Sequence, residues 1–405
     1  MDIYMARQPI LDLNKNIYGY ELLYRSKNLI MDEVDGDIAT LNVIKNTIMT
    51  IGFDEVVDQG VAFLNFTSEL IKQDVPLIFN NNTIIIEILE DIVPDASLML
   101  KINELKEKGY VFAIDDYDYN YKYDVFLRLV DIVKVDFKKT NIYERSDITR
   151  KLKAYNLILL AEKVETNDEF LEAKNLGYDL FQGFFFQEPQ IFKNREIKAL
   201  NANHILAINE LSKAEPDYKN LATIIKRDVA MTYKFLKLVN SVAFYSRSRI
   251  ESISDALVRL GFREINKFLF LLMFKQLAAG SPDVLMNNAL IRAKFSEGLS
   301  KRTEFRGKCD SFFLLGMFSM IDVILSVSKE EALKDIPLSD DLKEALVGVK
   351  DNEYSQMIRL VTNHERGNFE EVDDDLKDLK ISLEAMNNEY FNAIQWNSDI
   401  RNEIK

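Results

Sequence analysis

The chain has 405 residues, 47% of them hydrophobic and 29% charged, which is ordinary globular composition. Its one thiol, Cys309, excludes an internal disulfide framework, and its two histidines, His204 and His364, exclude a metal site built on three or four histidines. A net charge of −14 argues against a partner that is a nucleic acid polymer.

The acidity is uneven: residues 1–200 hold 34 acids and 23 bases, net −11, and residues 201–405 hold 31 and 28, net −3. Asp2, Arg7, Asp12 and Lys15 interrupt any signal-peptide core. The densest apolar stretch, Phe312–Leu325, contains Asp322 and falls short of the roughly 20 residues a membrane span needs. These features predict a soluble, cytoplasmic protein without membrane insertion.

In chain order, short runs rich in β-branched and aromatic residues occur at Ile3–Ile10, Ile17–Tyr24, Val61–Phe66, Thr83–Leu89, Tyr110–Ile114, Asp131–Val135, Leu157–Ala161 and Asp179–Phe184. Amphipathic segments separate several of them; Leu98, Ile102 and Leu105 share one helical face, and Gly109 stops the pattern. Strands alternating with helices predict a parallel sheet, and this many units suit a closed barrel. The first pair, with a turn around Asn14–Asn16, predicts one antiparallel strand. The character changes near Phe192–Asn203, and helical spacing then continues through Leu221, Ile224 and Ile225, through Phe235 to Val239, and through Leu257, Leu260, Ile265 and Phe268. Pro216, Pro282 and Pro337 fall between predicted helices. The expected fold is a TIM-like α/β barrel over 1–195 followed by an all-α domain over 200–405.

Polar residues recur in or just after the apolar runs of the barrel half: Glu21, Asn65, Glu87 and Glu90, Asp115 and Asp116, Lys134 and Asp136, Glu162 and Glu165, and Gln182. The C-terminal strand ends of such a barrel open on one face, so these carboxylates would converge there. Like charges in a pocket resist joint ionisation unless cations balance them. Oxygen donors without Cys or His indicate Mg²⁺ or Mn²⁺, with room for two ions. Two metals clamp the attacking and leaving oxygens of a phosphodiester hydrolysis. A single acid after a strand, such as Glu90 or Asp136, is as often a helix cap or a solvated loop residue. Glu87, inside a continuous apolar run, is costly unless paired, and Asp115 and Glu162 share that character.

The barrel half resembles the EAL domain, the phosphodiesterase module that hydrolyses cyclic di-GMP. The resemblance rests on seven motifs in register: Glu21-Leu22-Leu23-Tyr24-Arg25, Asn65, Glu87-Ile88-Leu89-Glu90, Asp115-Asp116, Lys134-Val135-Asp136, Ala161 to Glu165, and Gln182 to Pro189. It implies that Glu21, Asn65, Glu87 and Asp115 bind one metal, and that Asp115 and Asp116 bind a second, with a shared water between. Lys134 would orient that water, Glu162 would act as general base or metal-site support, and Glu165 would support Glu162. Glu90 would anchor the loop after Asp116. Gln182 would contact substrate or metal-bound water, Arg25 would pair with a substrate phosphate, and Glu90 and Asp136 would belong to the substrate-binding set. The chain departs from the pattern twice. Tyr117-Asp118-Tyr119-Asn120 stands where Phe-Gly-Thr-Gly is usual, and Lys163 stands where a glycine is usual, placing a cation beside Glu162.

The helical half resembles the HDOD domain, on Leu221 to Asp228, Leu238-Val239-Asn240-Ser241, Ile253 to Gly261 and Phe313 to Phe318. No His-Asp pair exists, since His204 precedes Ile205 and His364 precedes Glu365, so HD-type hydrolysis is not expected there. The combination resembles the EAL–HDOD signalling proteins of bacteria. That resemblance implies cyclic di-GMP as ligand, a protein partner for the HDOD half, and compatibility with a homodimer. Three functions follow: a metal-dependent phosphodiesterase yielding the linear dinucleotide pGpG, a cyclic di-GMP receptor without turnover, or a scaffold.

Smaller features have plain expectations. Asp322 is read as a buried group bonded to a neighbouring helix, Asn240-Ser241 as a helix end, and His364 as a surface residue. The Glu370–Asp375 acid run is read as a solvated loop leading into a helix. Tyr117, Tyr119, Tyr121 and Tyr123 would stack on a guanine or pack across a dimer.

Overall fold

In the computed structural model the described residues are 3–26, 56–57, 60–187, 202–213, 215–240, 250 and 252–404. They fall into two compact units, Met1–Glu188 with His364–Phe369, and Pro189–Asn363 with Glu370–Lys405.

The first unit is a closed eight-stranded barrel in sequence order. Its strands are β1 Ile3–Asp12, β2 Ile17–Ser26, β3 Val61–Phe66, β4 Ile84–Ile88, β5 Val111–Tyr117, β6 Ile132–Asp136, β7 Ile158–Glu162 and β8 Leu180–Gln182. β1 pairs antiparallel with both β2 and β8, and every other pairing is parallel. Among the described residues, helical segments connect β3 to β4 and each later parallel pair, as parallel pairing requires. Asp95 caps the helix Ala96–Glu107 by accepting from Leu98 N at 2.9 Å. Asn141 with Glu144 and Thr166 with Glu169 form reciprocal capping boxes on Ile142–Leu152 and Asn167–Leu176. Each such cap contributes about 1 kcal/mol. Two acids at strand starts tie the closed end: Asp131 accepts from Phe112 N and Asp179 from Leu159 N, each at 3.0 Å.

Side chains alternate along a strand with period two. One apolar layer inside the barrel is Ile10, Phe63, Ile85, Ala113, Ile132, Leu160 and Leu180, all buried. Two residues onward on each parallel strand stand Asn65, Glu87, Asp115, Lys134, Glu162 and Gln182. On antiparallel β1 the equivalent step runs backward to Gln8, which faces Glu21 of β2 in register. The same periodicity that packs the core therefore sets one polar residue per strand in a ring directly above it.

The described part of the second unit is helical. The helix Asp283–Ser300 packs against Cys309–Phe318 at Gly316, where a Cβ would meet the Arg292 carbonyl at 2.3 Å. Leu221, Ile224 and Ile225 form the buried face of Tyr218–Lys226. Asn240, just past Val229–Val239, donates to Leu236 O and Ile250 O and accepts from Ile250 N, while Ser241 lies outside the described residues. Asp322 sits in the short helix Ile321–Leu325 with Lys329 at 4.0 Å, and burial raises its carboxyl pKa.

Two expectations are corrected. The acid run Glu370–Asp375 is not a loop: it lies in the helix Phe369–Leu379, because Phe369, Val372 and Leu376 supply a buried stripe and Asp375 pairs with Arg359. His364 is not at the surface: it is fully buried within the first unit, where its Nε2–H donates to Met5 O at 2.7 Å. Among the described residues no helix is long and apolar enough to cross a membrane.

Candidate metal and phosphodiesterase site

Lys134 is the centre of the ring and is fully buried. Its Nζ lies 2.7 Å from Asp115 Oδ1, 2.8 Å from Glu87 Oε1, 3.0 Å from Glu21 Oε2 and 4.0 Å from Glu162 Oε1. Gln182 Nε2 donates to Glu21 Oε2 at 2.6 Å and to Gln8 Oε1 at 3.2 Å. Gly183 makes that placement possible: its φ is +139°, and a Cβ there would fall 2.1 Å from Val164 O.

One ammonium does not balance four carboxylates, and the proton affinities record this. Burial drives the Glu87 carboxyl well above its ordinary range, against the pull of Lys134, with Glu21 and Asp115 adding repulsion. Burial likewise raises the Asp115 carboxyl against the pull of Lys134, with repulsion from Glu21 and Asp116. Burial pushes Glu162 up to about 8, opposed by Lys134 and reinforced by Asp115 and Glu21. Glu21 goes the other way: burial opposes its charge, but Lys134 and the Gln182 hydrogen bond outweigh it. The surrounding carboxylates raise the Lys134 pKa well above the lysine value against the desolvation of its charge.

A second ion-pair group lies at the edge of the ring. Lys163 Nζ is 2.5 Å from Asp116 Oδ1, 2.8 Å from Asp136 Oδ2 and 3.8 Å from Glu162 Oε1. Lys139 Nζ takes the other oxygen of Asp116 at 2.8 Å. Hydrogen bonds from both lysines overcome burial and hold the Asp116 carboxyl at about 2.

The donor chemistry at the ring fits a hard divalent cation. Asn65 Oδ1, Glu87 Oε2 and Glu162 Oε2 are buried oxygens without a hydrogen-bond partner among the described residues. Leaving such groups unpaired costs about 1–3 kcal/mol each, more when charged. Asp115, Asp116 and Glu162 also offer oxygens within 4.8 Å of one another, but both Asp116 oxygens already accept from ammonium groups.

Of the residues singled out in the sequence, Glu21, Asn65, Glu87, Asp115, Lys134, Glu162 and Gln182 converge, with Asp116 at their edge. Glu90 and Glu165 do not join them. Glu165 is exposed, 2.5 Å from Lys138, and lines the same cavity as Glu162. Glu90 lies 3.7 Å from Lys139, the lysine that also pairs with Asp116, and its charge acts on Tyr121 in the loop after Asp116. Asp136 is buried and organises a turn, accepting from Lys138 N at 2.7 Å and Lys139 N at 3.0 Å. Arg25 belongs to β2, and its side chain lies outside the described residues. Tyr117 is buried and packs on Tyr121 at 4.6 Å, and Tyr121 meets Tyr123 edge-on, so Tyr119 is the exposed member of the series. Sequence reasoning missed Gln8 and Lys139. Gln8 carries the period-two signal; Lys139 carries none, since its role depends on the turn after β6.

A cavity of about 980 Å³, lined by residues of the first unit, opens over the ring and includes Gln8, Glu21, Asn65, Glu162, Lys163 and Phe184 in its wall. Its volume lies at the upper end of the range typical of small-molecule sites, about 300–1,000 Å³.

An eight-stranded α/β barrel with a buried carboxylate–lysine ring, followed by a helical unit, defines the EAL–HDOD class of architecture. The HDOD domain family matches residues 202–346. The chain is 37% identical to the uncharacterized protein YuxH of Bacillus subtilis (strain 168), over 98% of each chain. It is 32% identical to the cyclic di-GMP phosphodiesterase CdgJ of Vibrio cholerae serotype O1, over 99% of this chain and 94% of that one. An EAL domain protein of Listeria monocytogenes EGD-e, known from a crystal structure, is 21% identical, covering 46% of this chain and 87% of that chain at a TM-score of 0.36. The chain belongs to the EAL–HDOD family with YuxH and CdgJ.

Proposed function

We propose that the barrel unit binds cyclic di-GMP and hydrolyses one of its phosphodiesters to give linear pGpG. The observation that carries this reading is the ring itself: buried carboxylates from separate strands gathered on Lys134 beneath an open cavity. A relative that aligns over nearly the whole chain bears the name of a cyclic di-GMP phosphodiesterase.

Glu21, Asn65, Glu87 and Asp115 would hold a divalent cation, either Mg²⁺ or Mn²⁺. When bound, such an ion offsets carboxylate charge and polarises a phosphoryl oxygen. Lys134 supplies a fixed ammonium that orients the attacking water and offsets charge as it builds on the phosphorus oxygens. Glu162, whose carboxylate lies 4.0 Å from Lys134 Nζ in the cavity wall, accepts the water proton as general base. The water oxygen bonds to phosphorus, the P–O3′ bond breaks, and the leaving oxygen takes a proton from solvent. Gln182 fixes Glu21, and Arg25 is assigned to a substrate phosphate. The helical unit, lacking a His-Asp pair, is assigned to regulation or partner binding.

A second reading, a receptor that holds the nucleotide without cleaving it, is favoured by one observation: both oxygens of Asp116 are already engaged by lysines. One experiment separates the two. Purified full-length chain is incubated with cyclic di-GMP and Mg²⁺ or Mn²⁺ and the products are resolved by chromatography, with Glu21→Ala as control. Linear dinucleotide that disappears in the variant and on chelation supports the phosphodiesterase. Intact nucleotide that nevertheless binds in a titration supports the receptor, and absence of both defeats this assignment.

A further inference from the structure

We propose that the Lys163 ammonium is a built-in cation at the Asp116 edge of the site, competing with a second divalent ion, so that the chain takes one divalent cation and not two. The inference deepens the reading of the ring as a divalent-cation site and rests on it.

Three observations carry it. The first is placement. Asp115, Asp116 and Glu162 bring oxygens within 4.8 Å of one another, close enough to share an ion. Lys163 Nζ already sits against this group, 2.5 Å from Asp116 Oδ1 and 3.8 Å from Glu162 Oε1, and it bridges to Asp136 Oδ2 at 2.8 Å. Lys139 holds the second Asp116 oxygen at 2.8 Å. An ion entering here must displace an ammonium and then share a few ångströms with another, which like-charge repulsion opposes.

The second is backbone conformation. Lys163 has φ +58° and Asp116 has φ +48°, both in the left-handed region that side chains disfavour. Such conformations persist where the surroundings over-determine them, and they cluster at functional sites. Glycine would occupy position 163 without strain. A lysine there bears that strain while its ammonium makes the three ion pairs.

The third is the contrast between the two lysines of the site. Lys134 is fully buried between carboxylates of separate strands and has no room to leave. Lys163 is about one-third exposed, on a flexible stem. It is the cation that can be exchanged, and Glu21, Asn65, Glu87 and Asp115 remain as the donors for one resident ion.

The test counts metal, without nucleotide and without turnover. Full-length wild type, Lys163→Gly and Lys163→Gln are dialysed against Mn²⁺, and bound ion is counted by elemental analysis and by the loss of the free-ion electron paramagnetic resonance signal. Circular dichroism and thermal melting establish that each variant folds. Gly removes both charge and strain, while Gln removes charge and keeps the strained β-carbon. One ion per chain in wild type and two in both variants is the expected result, with affinity for the added ion at least on the order of tenfold above wild type. Two ions or none in wild type, no gain in either variant, or a gain in Lys163→Gly alone would overturn the proposal. Failure of nucleotide cleavage would leave the counts, and this inference, intact.

Discussion

Lys134 and Glu87 meet 2.8 Å apart with both side chains wholly removed from solvent, on strands separated in the barrel only by β5. Burying two charges is expensive, and only good pairing recovers the cost. Replacing Lys134 by Met leaves Glu21, Glu87 and Asp115 facing one another without a counter-charge. The metal-free variant is expected to lose about 3–5 kcal/mol of stability in chemical denaturation. The double variant Lys134→Met/Glu87→Gln is expected to recover part of that loss, and a strictly additive double-mutant cycle would contradict the pairing.

Divalent cations should stabilise the folded chain. Mn²⁺ at about 100 times its dissociation constant is expected to add roughly 2.7 kcal/mol. The melting temperature of the wild type should rise with Mn²⁺ and fall back with chelator. Asp115→Asn should blunt the rise. An equal rise in wild type and variant would remove Asp115 from the donor set.

The pH dependence of stability has a distinct histidine contribution. Burial lowers the His364 pKa to about 4, opposed by its bond to Met5 O. The unfolded chain has the ordinary value near 6.5, so between the two values the unfolded state binds more protons. The contribution is complete above pH 6.5 and is lost as pH falls through 4. Its full size is about 3 kcal/mol. His364→Gln retains a donor for Met5 O but does not titrate. The wild-type-minus-variant stability difference should therefore fall as pH drops from 6.5 to 4, and a flat difference would place His364 elsewhere.

Gly183→Ala tests how firmly the backbone sets Gln182. The new Cβ would collide with Val164 O, and φ +139° is hostile to any side chain. Destabilisation of about 1–3 kcal/mol or more is expected in thermal or urea melts. A neutral substitution would mean that the β8 end can shift freely.

Most of the barrel was legible because its strands are short apolar runs bounded by turn residues. Val61–Phe66 coincides with β3, whereas the run Tyr110–Ile114 stops short of β5, which extends to Tyr117 through the two aspartates. The ring was legible where a carboxylate interrupts an apolar run, as at Glu87. Gln8 was not, because β1 runs antiparallel and its inward-facing position falls before the apolar residue Ile10 and not after it. Glu165 was assigned to the site by the motif Ala161 to Glu165 that the chain shares with EAL domains. The backbone is left-handed at Lys163, and two residues later the Glu165 carboxylate is exposed on Lys138. His364 and the Glu370–Asp375 run were misplaced for one reason: burial there is decided by tertiary packing, not by the polarity of the residue itself.

β1 is stitched to β2 on one edge and to β8 on the other, so the earliest strand and the latest strand of the barrel are neighbours. Every ring position comes from a different strand. A chain emerging from the ribosome therefore holds only fragments of the constellation until the segment around Gln182 has been synthesised and has found Gln8 and Glu21. A chain that stops short of β8 leaves the barrel unclosed and the ring without Gln182. Assembly of the ring therefore waits on the longest-range closure of the barrel, the kind of contact that makes a topology slow to fold.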